Sequence, residues 1–284
     1  MLRNDDAAFL EREYNARAAN PQFDKQATYI ARSNELLGSL ERIADVIYDP
    51  ASGSKLDLYP AGKGAPVFLW IHGGYWQGSS KNENVFVVPG LLQRGIAVAS
   101  IDYTLAPVAS IDEIVRQVRA GAAWLLGNAS NYGMDAKRLH IGGHSAGGHL
   151  VGMLLAGGWK SRFGIPEQPF GAALAISGLF DLEPLIKTSM NKAVGLTTGS
   201  AVRNSPLFHV PRRSEAYLLA TCGGAEPSQF HAQTDAYFDA WSAAGNSGRK
   251  IDMPGLNHFD IILRLEAPGN PLFDGLLETV KRFS

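Results

Sequence analysis

The most constraining stretch of this chain is Gly143-His144-Ser145-Ala146-Gly147, set between the apolar run Leu139-His140-Ile141 and the apolar run His149-Leu150-Val151. A serine with glycine two places before and two places after it, following a strand and preceding a helix, specifies a sharp strand–turn–helix. Side chains at the two glycine positions would collide across so tight a turn, and the serine itself must adopt strained backbone dihedrals. The turn lifts the hydroxyl above the end of a strand and aims a helix N-terminus at it. The N–H of Ala146 is left free for an anionic oxygen. A phosphate-binding loop is a poorer reading. No G-K-[ST] is present, and glycines 142, 143, 147 and 148 do not spell G-x-G-x-x-G.

Short apolar runs alternate with helical patterns along the rest of the chain. Strands are predicted at 43–48, 55–59, 67–71, 97–102, 139–142, 172–177, 216–221 and 250–253. Several are continuously apolar, as strands buried on both faces are. Residues 111–126 carry Ile111, Ile114, Val115, Val118, Ala122 and Leu125 at helical spacing, with Ser110 and Glu113 as a capping-box pair. A second helix is predicted at 229–244, closed by Gly245. This alternation gives an α/β class with a mostly parallel, eight-stranded sheet and helices on both faces. Only Pro50, Ser52 and Gly53 punctuate the first two strands, which predicts an antiparallel hairpin at one edge. Residues 182–212 break the alternation and read as a helical flap inserted into one domain spanning 1–284.

Composition removes several function classes. Twenty-six Lys and Arg against 27 Asp and Glu leave a net charge of −1, without the basic excess of a nucleic-acid-binding protein. The 45% apolar content excludes disorder. One cysteine, Cys222, cannot form an internal disulfide or a multi-cysteine zinc site. The start of the chain, 1–23, is polar and lacks the apolar core of a signal peptide, and no apolar run reaches membrane-spanning length. A cytoplasmic protein with no membrane and no nucleic-acid partner is expected.

If Ser145 is a nucleophile, its partners follow in the order acid, then histidine. His209, His231 and His258 are the histidines beyond the elbow helix. His258 lies in Asn257-His258-Phe259-Asp260, a loop after the last strand and before an apolar helix, where the base belongs. His209 falls in the flap and His231 on a helix. Glu226 is the first carboxylate after the seventh strand, within Cys222-Gly223-Gly224-Ala225-Glu226. It would accept the imidazole N–H and fix the tautomer. Asp181 and Asp235 are its rivals, and Glu226 also suits a plain helix start. His72-Gly73-Gly74-Tyr75-Trp76 follows the third strand. Gly73 and Gly74 let backbone N–H groups approach a reacting carbonyl, completing an oxyanion hole with Ala146. Tyr75 and Trp76 are candidate substrate-binding walls, with core packing as the alternative. His140, His144 and His149 share no helical face and have no acidic companion, so a metal site is not expected there.

These segments resemble the α/β-hydrolase superfamily over nearly the whole chain. Within it they are most similar to the kynurenine formamidase (arylformamidase) group and its bacterial esterase and amidase relatives. The similarity rests on H-G-G-Y-W at 72–76, G-H-S-A-G-G at 143–148 with His149-Leu150, N-H-F-D at 257–260 and the early Glu13-Tyr14-Asn15-Ala16-Arg17. Asp102-Tyr103-Thr104-Leu105-Ala106-Pro107 also resembles the D-Y-R-L-A-P of hormone-sensitive-lipase-like esterases, whose acid-bearing D-P-L is missing here. The formamidase group typically carries Asp where this chain has Glu226. The resemblance implies a serine hydrolase that cleaves N-formyl or N-acyl aromatic amines, N-formylkynurenine in tryptophan catabolism among them, through an acyl-enzyme and without a cofactor. A carboxylesterase for small or aryl esters is the alternative. The implied partner is a small-molecule substrate, and a homodimer is left open. The sequence assigns no residue to the polar end of such a substrate. Met190, Leu196, Leu207 and Phe208 of the flap are candidates for the pocket lining or for the core.

Overall fold

The computed structural model describes residues 6–283. Its strands are β1 (Ile43–Asp49), β2 (Ser54–Tyr59), β3 (Ala65–Ile71), β4 (Ala97–Ile101), β5 (Met134–His144), β6 (Phe170–Ile176), β7 (Tyr217–Thr221) and β8 (Gly248–Lys250). The longer helices are α1 (Ala7–Tyr14), α2 (Ala31–Leu37), α3 (Ile111–Asn128), α4 (Ala146–Leu155), α5 (Ser228–Ala243) and α6 (Pro271–Lys281). All eight strands join one sheet in the order β1-β2-β4-β3-β5-β6-β7-β8. β2 runs antiparallel to both β1 and β4, and the remaining pairs are parallel. The expected edge hairpin is therefore present, turning at Gly53 with φ 71°.

Alternation along the strands divides the core in two. Val67, Leu69 and Ile71 of β3 pack with Ile114, Val118, Leu150 and Trp241 of α3, α4 and α5. Phe68 and Trp70 of the same strand pack on the other face with Leu272, Phe273 and Leu276 of α6. Successive side chains of a strand point to opposite faces, so a strand apolar at every position needs helices on both.

Register places the site. Ile71 pairs with Gly143 and His144 with Ile176, so the loops that leave β3, β5 and β6 emerge side by side at the C-terminal edge of the sheet. This edge is where open α/β sheets bind ligands. A bridge from Gly223 to Met253 brings the loops after β7 and β8 to the same edge.

Several strand ends differ from the sequence expectation, most of all at β5, which runs from Met134 to His144 rather than over 139–142. β8 ends at Lys250 rather than continuing to residue 253. Past it, Met253 O accepts from Gly224 N and Leu256 O from Ala225 N, so this backbone bonds to the loop after β7 instead of extending a ladder. At α3, Ser110 accepts from Glu113 N as expected, but the Glu113 carboxylate bonds Arg116 and Gln117, leaving only half the capping box.

Residues 182–212 fold into four short turns of helix: Glu183–Lys187, Asn191–Val194, Thr198–Arg203 and Pro206–His209. Leu182 N donates to Ser205 Oγ at 2.8 Å within the segment, and Leu207 N to Phe180 O at 3.0 Å ties it to the chain after β6. No helix among the described residues is long and apolar enough to cross a membrane.

Two buried histidines serve the packing as hydrogen-bond acceptors. His140 Nδ1 accepts from Ala172 N at 2.9 Å. His149 Nδ1 accepts from Trp76 Nε1 at 3.2 Å, while its Nε2–H donates to Asn204 O at 2.7 Å. Both rings must be neutral for this, and burial pushes both down to about 4 from an ordinary 6.5. The unfolded chain then binds more protons than the folded one between those values, so stability falls as pH drops through that window. Urea midpoints should decline steadily from pH 6.5 to 4. A flat profile across that window would contradict the assignment.

Candidate active site

β5 ends at His144 and α4 begins at Ala146, with Ser145 between them at φ 57° and ψ −117°. Few non-glycine residues adopt this conformation, and it costs of order 1–3 kcal/mol. The neighbouring glycines are required by contact. A Cβ on Gly147 would sit 2.0 Å from Ile71 O, and one on Gly143 would sit 2.5 Å from the Gly147 carbonyl. Ser145 N donates to Ile176 O at 2.8 Å, so the strained residue remains anchored to β6. Ala146 is the first helical residue, and its N–H has no acceptor within the helix.

The loop after β3 presses on this turn. A Cβ on Gly73 would lie 2.8 Å from His144 O and 3.2 Å from Ser145 Cβ. Gly74 has φ 101°, and a Cβ there would strike Gly78 O at 2.2 Å. Gly73, Gly74 and Ser145 line one cavity of about 550 Å³, of ordinary size for a small-molecule site.

His258 lines the same cavity. Its Nδ1 is 2.7 Å from Glu226 Oε2, and both side chains are buried. The carboxylate is itself held. Oε1 accepts from Ser177 Oγ at 2.5 Å and from Gly223 N at 2.6 Å. With Nδ1 committed to Glu226, Nε2 is the ring nitrogen left for a partner. The His258 ring packs between Phe230 and His144, with centroids 4.6 Å away on each side. Burial, with the His258 charge as a smaller cause, drives His144 well below the usual imidazole range. His144 therefore stays neutral beside its neighbour.

The loops that carry Glu226 and His258 are fitted to each other. A Cβ on Gly223 would meet Leu256 O at 2.2 Å. Asn257 Oδ1 accepts from Phe259 N and Asp260 N, closing a turn at His258. The rival acids lie elsewhere. Asp235 is paired with Lys250 at 2.6 Å, and the Asp181 carboxylate accepts from Glu183 N. His231 Nδ1 contacts Cys222 Sγ at 3.3 Å, and His209 sits in the 182–212 segment.

The aromatic pair after Gly74 divides. Tyr75 lines the cavity, its hydroxyl donating to Tyr14 O. Trp76 does not: it is fully buried, edge-on to His149 with centroids 5.0 Å apart. Its left-handed φ of 58° turns the ring under the elbow helix and into the core, so the expectation of a Trp76 wall is corrected. Of the flap side chains, Met190 reaches the lining, whereas Leu196 is buried in the core and Leu207 and Phe208 line a separate cleft.

Sequence reasoning missed two parts of this site. Ser177, at φ 50° after β6, gives Glu226 a second anchor; the only local signal was one polar residue ending an apolar strand. The N-terminal segment forms the outer wall through Asn15, Ala16, Arg17, Phe23, Lys25 and Tyr29. Tyr29, within a π-helical turn (Gln26–Ile30), donates to Phe259 O at 2.6 Å, next to His258. No group of three or more His, Cys, Asp or Glu side chains among the described residues is placed to hold a metal ion.

The chain is similar to known hydrolases over most of its length. The BD-FAE family matches residues 56–170. The kynurenine formamidase of Salmo salar is 32% identical over 80% of this chain and 78% of its own length. That of Danio rerio is 31% identical over 90% of each. Among solved structures, a putative thioesterase from Silicibacter superposes with a TM-score of 0.78 at 28% identity, covering 93% of this chain and 98% of its own.

The Ser177 bond offers a direct check on the geometry. A hydrogen bond to a charged group contributes about 1.5–3 kcal/mol. Ser177→Ala should lower kcat for a chromogenic ester about tenfold or more and lower Tm by several degrees, because the buried carboxylate loses a donor. Unchanged kcat would show that Glu226 does not depend on this hydroxyl.

Proposed function

Since the chain belongs to the kynurenine formamidase family of the α/β-hydrolases, we propose that it is a serine hydrolase cleaving the formamide of N-formyl aromatic amines, N-formylkynurenine-like compounds included. One observation carries the reading: Ser145, Gly73, Gly74 and His258 converge on a single cavity while Glu226 holds the far nitrogen of His258 at 2.7 Å.

The chemistry follows from that arrangement. His258 Nε2 takes the Ser145 proton as Oγ attacks the formyl carbon. Charge develops on the carbonyl oxygen, facing the N–H groups of Gly73 or Gly74 and of Ala146. Each such donor contributes about 3 kcal/mol when its partner is negative only in the transition state. The imidazolium is stabilised by Glu226 and returns its proton to the departing arylamine nitrogen. Water then attacks the formyl-serine with His258 again as base, releasing formate. The residues supply every proton transfer without a cofactor. The wider reading is a cytoplasmic enzyme of one domain, with 182–212 as a flap, acting on a small molecule. The near-neutral charge and the joining of all eight strands in one sheet support it.

An ester is cleaved more readily by the same machinery, because an alkoxide or thiolate leaves more easily than an amine. The similarity to a solved protein described as a putative thioesterase supports this second reading. Measuring kcat/KM for N-formylkynurenine, p-nitrophenyl acetate and a longer-chain N-acyl anthranilate separates the two. About 10⁴ M⁻¹s⁻¹ or more on the formamide is expected. Weak formamide turnover beside strong ester or longer-acyl turnover would replace the formamidase reading with the esterase or another acyl preference. Ser145→Ala should reduce kcat by about 10⁶ without lowering Tm. Glu226→Gln, which can hold the wrong tautomer, should cost about 10⁴ in kcat. Substantial activity in either variant would remove that residue from the mechanism.

A further inference from the structure

Among the described residues, the Lys, Arg, Asp and Glu side chains that line the active cavity are Arg17 and Lys25, with no carboxylate. The two cations are not equivalent. Lys25 is committed to Glu83, with Nζ 2.5 Å from Oε2. Arg17 has no carboxylate partner among the described residues. Its Nη1 donates to Phe23 O, and its guanidinium lies over the Phe23 ring at 5.3 Å. These contacts fix the head group while occupying one of its five N–H donors. The Phe23 ring in turn lies flat on Phe259, with centroids 3.9 Å apart and planes 4° apart. Phe259 adjoins His258. An aromatic wall thus runs from the base outward and ends at a guanidinium held in place with its fork unfilled.

We propose that Arg17 is a specificity-determining residue of this site, its guanidinium pairing with the carboxylate that the aryl half of an N-formylkynurenine-like substrate carries. This rests on the formamidase reading for the location of the charge: a formyl group has no room for an anion, so the carboxylate belongs to the aryl half. A planar guanidinium pairs with carboxylate through two parallel N–H bonds, which selects for position as well as charge. The charge of Arg17 also raises the local concentration of anionic substrates and does so less as salt increases.

The test uses two matched pairs. The amide pair is 2-formamidobenzoate and formanilide; the ester pair is 2-acetoxybenzoate and phenyl acetate. Within each pair the anionic-to-neutral ratio of kcat/KM is measured for the wild type, Arg17→Gln and Arg17→Lys at low and high salt. The wild-type ratio should exceed one and fall as salt rises. Arg17→Gln should cut the ratio 10–100-fold, chiefly through KM, and Arg17→Lys should restore part of it. A Gln variant that loses activity equally on both members, leaving the ratio unchanged, would overturn the proposal and make Arg17 a structural support of Phe23. A wild-type ratio at or below one, insensitive to salt, would overturn it without any variant. If neither formamide turns over while the esters do, the formamidase reading fails on its own, and the ester pair still decides the role of Arg17 by the same ratio.

Discussion

The backbone of Ser145 is the constraint on which the rest of the site depends. Its φ of 57° and ψ of −117° would relax if the chain could, and three contacts prevent it. Ser145 N is bonded to Ile176 O on β6, Ile71 O crowds the Cα of Gly147, and the following helix is fully buried between sheet and flank. The turn is thus clamped between β3 and β6, the two neighbours of β5. The same clamp brings the Gly73–Gly74 backbone against Ser145, so the hydroxyl and that backbone are positioned by a single packing arrangement. The strain, of order 1–3 kcal/mol, is small beside the buried apolar surface of three adjacent parallel strands.

A second dependence runs through Glu226. A buried carboxylate is tolerated only when its oxygens are bonded. Here one oxygen takes Ser177 Oγ and Gly223 N, and the other takes His258 Nδ1. These anchors, one just past β6 and one in the loop after β7, hold the Glu226 side chain in place. His144 lies against the same imidazole but is kept neutral by burial, so it adds no charge beside His258.

What was legible in the sequence was local or periodic. The elbow, the two loop glycines and the eight strands depend on steric rules over a few residues, and the structure reproduces them. Glu226 could be placed in the loop after the seventh strand, but its separation from Asp181 and Asp235 required the contact with His258. Trp76 and the end of β8 misled for one physical reason. Each was decided by a partner distant in the chain, His149 for the indole and the 223–225 loop for the backbone after Lys250. The N-terminal wall was least legible. Arg17, Phe23 and Tyr29 reach the cavity only through contacts such as Tyr29 Oη to Phe259 O, 230 positions apart, which no local pattern encodes.

The central claim is that the elbow makes Ser145, among all the serines of the chain, a nucleophile activated by His258. Peptide-mapped labelling with a fluorophosphonate tests it most directly. One adduct per chain is expected, on Ser145, formed in the native protein and absent after unfolding in urea. Labelling at another residue, or no labelling of a folded sample, would contradict it.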